Sequence, residues 1–198
     1  MKGGLSLIVP VHNGEKFIMN SLEDYYNFFS KNFETLEIIV VCNACTDKTF
    51  EKCVFLSARL PLIILEAPKR GKGHALTKGF AIARYEIVGF LDADNPFDLN
   101  EISKMIDNLG EYDVVIATKF KKGTLKFQTS FSRRLFSLAG AIVARSIFNL
   151  DFRDTQAGAK FMKKEVLEKI HNHLICGGFE FDIELLYRLK RKKAKIKE

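Results

Sequence analysis

The sequence contains no run of about 18 uninterrupted apolar residues and no signal-peptide pattern at its start, where MKGGLSLIVPVHNG passes from a short polar stretch directly into a strand-like segment. These absences predict a chain that neither spans a membrane nor is exported. Cysteine is scarce, four in 198 residues, and only Cys42-Asn43-Ala44-Cys45 sets two close together. With Cys53 and Cys176 standing alone and the histidines scattered, neither a disulfide framework nor a zinc site is expected, and small residues in a tight loop is the favoured reading. Repeats and low-complexity linkers are also missing. With 47% hydrophobic and 28% charged residues, the expectation is one globular domain over residues 1–198.

What is present begins with charge. A formal net charge of +7 draws the chain towards something anionic: nucleic acid, lipid headgroups or phosphorylated substrates. Charge alone does not choose among them. Much of the excess lies in Lys119-Phe120-Lys121-Lys122, in Arg133-Arg134 and in the tail from Arg188 to Lys197, for which a solvated face is the simplest account.

The apolar periodicity predicts strands over 5–11, 37–41, 62–65, 87–91 and 114–117, alternating with helices over 15–29, 47–58 (Thr46 as N-cap), 73–83 and 100–109. Such alternation implies an α/β fold with a mostly parallel central sheet and helices on both faces. A nucleotide-binding half, about 1–118, would then precede an acceptor half, about 119–198. The second half holds a long helix candidate over 132–148 and a turn-rich stretch over 151–158.

In an open parallel sheet, ligands bind beyond the carboxyl ends of the strands. At one such end GFLDADNPFDL sets Asp92 and Asp94 one residue apart, a pair able to hold Mg2+ or Mn2+ through oxygen. A lone D-x-D is a weak signal, because turns favour aspartate. Two more strand-end loops strengthen it: Cys42 to Thr49, and Lys69-Arg70-Gly71-Lys72-Gly73-His74. The second has glycines for close approach, cations for phosphate and the N–H groups of a helix start, although the Walker A spacing is absent. A nucleotide diphosphate with its metal suits this set.

Val9-Pro10-Val11-His12-Asn13-Gly14-Glu15, the loop from Val41 to Thr49, Arg70-Gly71-Lys72-Gly73 and Leu91-Asp92-Ala93-Asp94 occur in the order seen in family 2 glycosyltransferases of the Rossmann-like GT-A fold, which this chain resembles. Asp154 to Phe161 and Phe179 to Leu186 are similar to the dolichyl-phosphate glucosyltransferase and mannose synthase branch. The resemblance implies that Pro10, Asn13, Glu15 and the Asn43 loop, with Lys72 and Gly73, serve the nucleotide, and that Asp92 and Asp94 serve metal and diphosphate. It implies that Lys119, Arg133 and Ser137 contact the phosphate of a polyprenyl or dolichyl phosphate acceptor.

Some positions depart from the family pattern. The usual acidic pair and glycine-serine of the second loop are Cys42-Asn43 and Ala44-Cys45, and Lys119 replaces an arginine, giving up bidentate phosphate binding. The family usually continues beyond the position of Glu198, so a chain truncated at its C-terminus is expected.

The implied chemistry is inverting transfer of a hexose by single displacement, UDP-glucose being favoured over GDP-mannose because Asp154-Thr155-Gln156 resembles the glucosyltransferases more. An acceptor phosphate is already anionic and needs no strong base. A saccharide hydroxyl, the alternative acceptor, would need one, and Asp154 is the candidate. The QxxRW pattern of processive synthases is absent. Apolar residues beside Arg133, Arg134 and Arg145 in the 132–148 helix suit either core burial or a peripheral position on the cytoplasmic face of a membrane. Nucleic acid is not expected as a partner, since no binding motif accompanies the charge.

Overall fold

Apolar residues on both faces make the first strands central. In a computed structural model that describes residues 2–94, 97–117 and 157–198, β1 (Lys2–Val11) runs parallel to β2 (Phe33–Asn43), from Lys2 opposite Phe33 to Val11 opposite Cys42. Leu5, Leu7, Ile8 and Val9 of β1 and Ile38 to Val41 of β2 are buried, as strands covered by helices on both sides require. β3 (Leu62–Ala67) adds in parallel outside β2, and β4 (Ile87–Leu91) in parallel on the other side of β1.

The crossovers are α1 (Ile18–Phe29), α2 (Thr49–Ser57) and α3 (Lys72–Phe80). Ile18, Leu22, Tyr25 and Phe29 put a buried stripe on α1, the spacing of one helical face. α1 starts later than predicted because Phe17 and Ile18 both turn their N–H groups back to the Gly14 carbonyl. The Thr46 cap is not formed. α2 begins at Thr49, whose N–H is taken by the Asp47 carboxylate at 3.1 Å, while Thr46 turns to Asn13. After β4 come α4 (Leu99–Asp107), capped by Asp98, and β5 (Val114–Ile116).

The last described segment completes the same sheet. β6 (Ala159–Lys163) lies antiparallel between β4 and β5; then follow α5 (Lys164–Glu168), α6 (Phe181–Arg191) and β7 (Ile196–Lys197), which pairs in parallel with β5. The order is β3-β2-β1-β4-β6-β5-β7, and β6 alone runs against the rest. The sheet is therefore mostly parallel, as the alternation predicts, but β6 was absent from the predicted elements. Its five residues are too few to show a period, and Lys160 interrupts the apolar run at a position that is fully buried. Ala117 donates its N–H to the Ala159 carbonyl at 3.0 Å, so the chain leaves the described sheet and re-enters it at neighbouring points. The 132–148 helix candidate lies outside the described residues, as does the 151–158 turn up to residue 156. Among the described residues no helix is long and apolar enough to cross a membrane.

Candidate active site

Because β1 to β4 are parallel, the loops after them open on one edge. The first two loops are tied together by side chains predicted to serve a nucleotide. Asn13, at φ 53°, accepts the Thr46 N–H at 2.8 Å and donates to the Thr46 hydroxyl at 3.1 Å. Glu15 donates its N–H to Asp47 and accepts the Lys48 N–H through its carboxylate, each at 3.1 Å. His12 Nδ1 donates to the Asn43 carbonyl at 2.7 Å. Pro10 lies within β1, half-buried beside Val41. The Asn43 side chain, buried at the end of β2, accepts the Gly71 N–H at 3.2 Å and so joins the second loop to the third.

The third loop differs from its predicted role as a phosphate cradle. The N–H groups at the start of α3 are already used: Gly73 donates to the Gly178 carbonyl at 3.2 Å and His74 to the Gly177 carbonyl at 3.1 Å. The turn before α6 packs so closely here that a Cβ on Gly73 would lie 2.1 Å from the Cys176 carbonyl oxygen. Gly71, at φ 146°, combines a conformation open to glycine with a similar approach to Gly177. These glycines serve backbone-to-backbone packing. The partners come from residues about a hundred positions downstream, which local pattern does not reveal.

Lys72, expected to serve the nucleotide, is turned towards carboxylates of the protein itself. Its side chain is 11% exposed, and its ammonium stands 3.3 Å from Asp92 Oδ1, 3.3 Å from Asp182 Oδ2 and 4.8 Å from the Phe90 ring centre. Asp182 Oδ1 in turn accepts from Lys160 Nζ at 2.6 Å, and Lys160 also donates to the Ala157 carbonyl at 2.8 Å. Burial pushes the Asp182 carboxyl up, but Lys160 and Lys72 together outweigh it and hold the group below the usual carboxylate range. Burial pushes the Lys72 ammonium down, and Asp182 with Asp92 outweighs that, so it stays charged well above neutral pH. Lys160 and Asp182 received no role from the sequence. Their signal is a charge set between apolar neighbours, Lys160 between Ala159 and Phe161 and Asp182 between Phe181 and Ile183.

Asp92 is the first residue beyond β4. Its N–H donates to the Gly158 carbonyl at 2.9 Å and its carbonyl accepts the Tyr25 hydroxyl at 2.6 Å, so its backbone is fixed on two sides. A Cβ at residue 158 would lie 1.7 Å from Asp92 Oδ2, so glycine there makes room for the carboxylate. Asp94, two residues on, is exposed. Among the described residues no group of three or more His, Cys, Asp or Glu side chains could hold a metal. A pair of carboxylates nevertheless fits Mg2+ or Mn2+, which takes one or two protein oxygens and completes its shell with phosphate and water. Cys42 and Cys53 are buried, and hydrogen bonding between them together with burial pushes the Cys42 thiol up, away from the thiolate form that metal binding and redox chemistry use. Lys119, Arg133, Ser137 and Asp154 lie outside the described residues.

Comparison with known proteins places this geometry. The chain is 29% identical to a dolichyl-phosphate beta-glucosyltransferase of Trichomonas vaginalis and 27% identical to that of Saccharomyces cerevisiae, over 98% of its own length and 64% and 65% of theirs. It is 28% identical to a dolichol-phosphate mannosyltransferase of Pyrococcus furiosus, covering 54% of that protein. The chain thus spans a little under two thirds of the two glucosyltransferases and about half of the mannosyltransferase. Among solved structures, glucosyl-3-phosphoglycerate synthase from Mycobacterium tuberculosis, in complex with Mn2+, UDP and phosphoglyceric acid, superposes with a TM-score of 0.72 at 20% identity, over 98% of this chain and 66% of that one. The model of the family described as glycosyl transferase family 2 matches residues 6–171, most of the described sheet included, and the chain belongs to that family.

Proposed function

We propose that this protein moves a hexose from a nucleotide sugar to a polyprenyl or dolichyl phosphate, with inversion at the anomeric carbon and with UDP-glucose as the donor. The observation that carries the reading is the mouth of β4, where Asp92 is fixed between Tyr25 and Gly158 with Asp94 exposed beside it, at the edge where the loops after β1, β2 and β3 also open. The names of the relatives support the acceptor: two act on dolichyl phosphate as glucosyltransferases and one on dolichol phosphate as a mannosyltransferase.

In this reading the loops after β1 and β2 hold the nucleotide, with Pro10, Asn13, Glu15 and Asn43 shaping its base and ribose site. Asp92 and Asp94 hold Mg2+ or Mn2+, which when bound neutralises charge on the leaving diphosphate. Lys72 adds a fixed positive charge behind Asp92. Arg133, with Lys119 and Ser137, orients the acceptor phosphate in line behind the anomeric carbon, where positioning supplies most of the acceleration. The phosphate is its own nucleophile, and Asp154 is not required as a base. The protein works as a peripheral protein at the cytoplasmic face of a membrane.

The test offers UDP-glucose and GDP-mannose, each with Mn2+, to a short polyprenyl phosphate, the matching free polyprenol and a simple sugar. Glucosylation of the polyprenyl phosphate alone is expected, with loss on chelation of the metal. Mannosylation would keep the acceptor and correct the donor. Efficient transfer to the sugar but not to the phosphate would refute the reading and make Asp154 the general base.

A further inference from the structure

Behind Asp92 lie two charged residues that the proposed transfer does not use. Lys160 is 0% exposed and Asp182 1%. Charged groups so buried are rare, and exchanging such a pair for apolar residues is often neutral or stabilising, so stability alone accounts for them poorly. Their arrangement suggests another role. Lys160 on β6, Asp182 on α6, Lys72 on α3 and Asp92 after β4 form a row of alternating sign, joined at 2.6, 3.3 and 3.3 Å. Both ammonium groups lie over the Phe90 ring, at 4.8 and 5.3 Å from its centre. The row sums to zero, and only its Asp92 end reaches solvent appreciably, at 34% against 11% for Lys72.

We infer that Asp182 and Lys160 are positioning residues that set how strongly Asp92 attracts a divalent cation, by dividing the Lys72 ammonium between two carboxylates. The inference rests on the proposed use of Mg2+ or Mn2+ at Asp92. With Asp182 in place, Lys72 is shared and its hold on Asp92 is partial. Without Asp182, the ammonium would commit to Asp92, and an incoming cation would have to displace it. Lys160 acts in the opposite sense. By taking Oδ1 of Asp182 it leaves Lys72 only Oδ2, which keeps Lys72 from being drawn wholly away from Asp92.

Three substitutions therefore have signed effects on cation affinity, whereas loss of a merely structural group would weaken binding in every case. The measurement is titration of Mn2+ into the full chain at saturating UDP, reading free Mn2+ by electron paramagnetic resonance. Lys72→Met is expected to tighten Mn2+ by about tenfold and Asp182→Asn to weaken it by about tenfold, the scale of one neighbouring charge in a partly solvated site. Lys160→Met should tighten it by a smaller factor. Thermal melts followed by circular dichroism establish that each variant is folded. If Asp182→Asn does not fold, the two lysine variants decide, and weakening in either overturns the inference. Shifts of one sign, or none, with wild-type binding intact overturn it and leave the proposed function standing. Wild-type binding no tighter than that of Asp92→Asn removes the metal from the proposed function, and the inference with it.

Discussion

Replacing Gly158 by alanine separates the site from its scaffold. The backbone tolerates the change, because among the described residues Gly71 is the one glycine at positive φ. The obstruction is local: the new Cβ would lie 1.7 Å from Oδ2 and 2.2 Å from Cγ of Asp92. Asp92 can relieve this by rotating outward, since its side chain is 34% exposed, and rotation forfeits the 3.3 Å pairing with Lys72. An ion pair with one partner that exposed is screened, so the stability loss should be no more than about 1 kcal/mol. For a chain of this size that lowers the melting temperature by about 2–4 °C. Misplacing a metal-binding carboxylate by about 1 Å should instead reduce transfer by about 100-fold. Calorimetry with UDP and Mn2+, a thermal melt and a steady-state transfer assay together read both quantities. Donor affinity and turnover within twofold of wild type would show that the orientation of Asp92 is immaterial, and the assignment of the β4 mouth as the donor site would fall.

Gly73→Ala should do the reverse. Its Cβ meets the Cys176 carbonyl at 2.1 Å, backbone that cannot swing aside, and the N–H bonds of Gly73 and His74 to the 177–178 turn would part. A loss of about 3 kcal/mol, seen as a melting temperature lower by about 6–12 °C, is expected. Asp94→Asn should leave the melt unchanged and abolish Mn2+-dependent nucleotide binding in calorimetry. The stabilisation from Asp182 has a defined pH window: its folded carboxyl lies below the unfolded value of about 3.9, so the contribution is complete above about pH 4 and declines as pH falls through the folded value. The difference in melting temperature between wild type and Asp182→Asn should accordingly hold constant from about pH 7 to 5 and shrink below about pH 4; a difference that shrinks between pH 7 and 5 would contradict the ion-pair account.

How far the sequence discloses the fold depends on where each determinant lies. β1 to β4 and their helices follow from contiguous apolar patterns, and the abrupt arrival of Asp92 after Val88-Gly89-Phe90-Leu91 marks the mouth of a buried strand without further help. The ion pair that holds Lys72 inward is not visible in its own loop, because its partner Asp182 stands on α6, distant in sequence. The same is true of the α3 start, where glycines that would suit a phosphate instead admit the 177–178 turn. Lys160 illustrates the limit most plainly: a charge in a short strand argues for solvent exposure until Asp182, a whole helix away, supplies its counterion.

The hydrogen bond from Ala117 to Ala159 closes an excursion of the chain whose two ends meet at the rim of the sheet, next to the strand that carries Asp92. Closure entropy grows only slowly with loop length, about 0.6 kcal/mol for each doubling, so the entropic cost of bringing these two ends together depends little on how many residues lie between them. Lys119, Arg133, Ser137 and Asp154 all belong to the excursion. At the level of chain entropy, the sheet therefore sets little restriction on the length of what joins those two points. Under the proposed function, grafting a foreign segment between positions 117 and 157, which keeps Gly158 beside Asp92, should change what receives the sugar while the choice of nucleotide, assigned to the loops after β1 and β2, is retained.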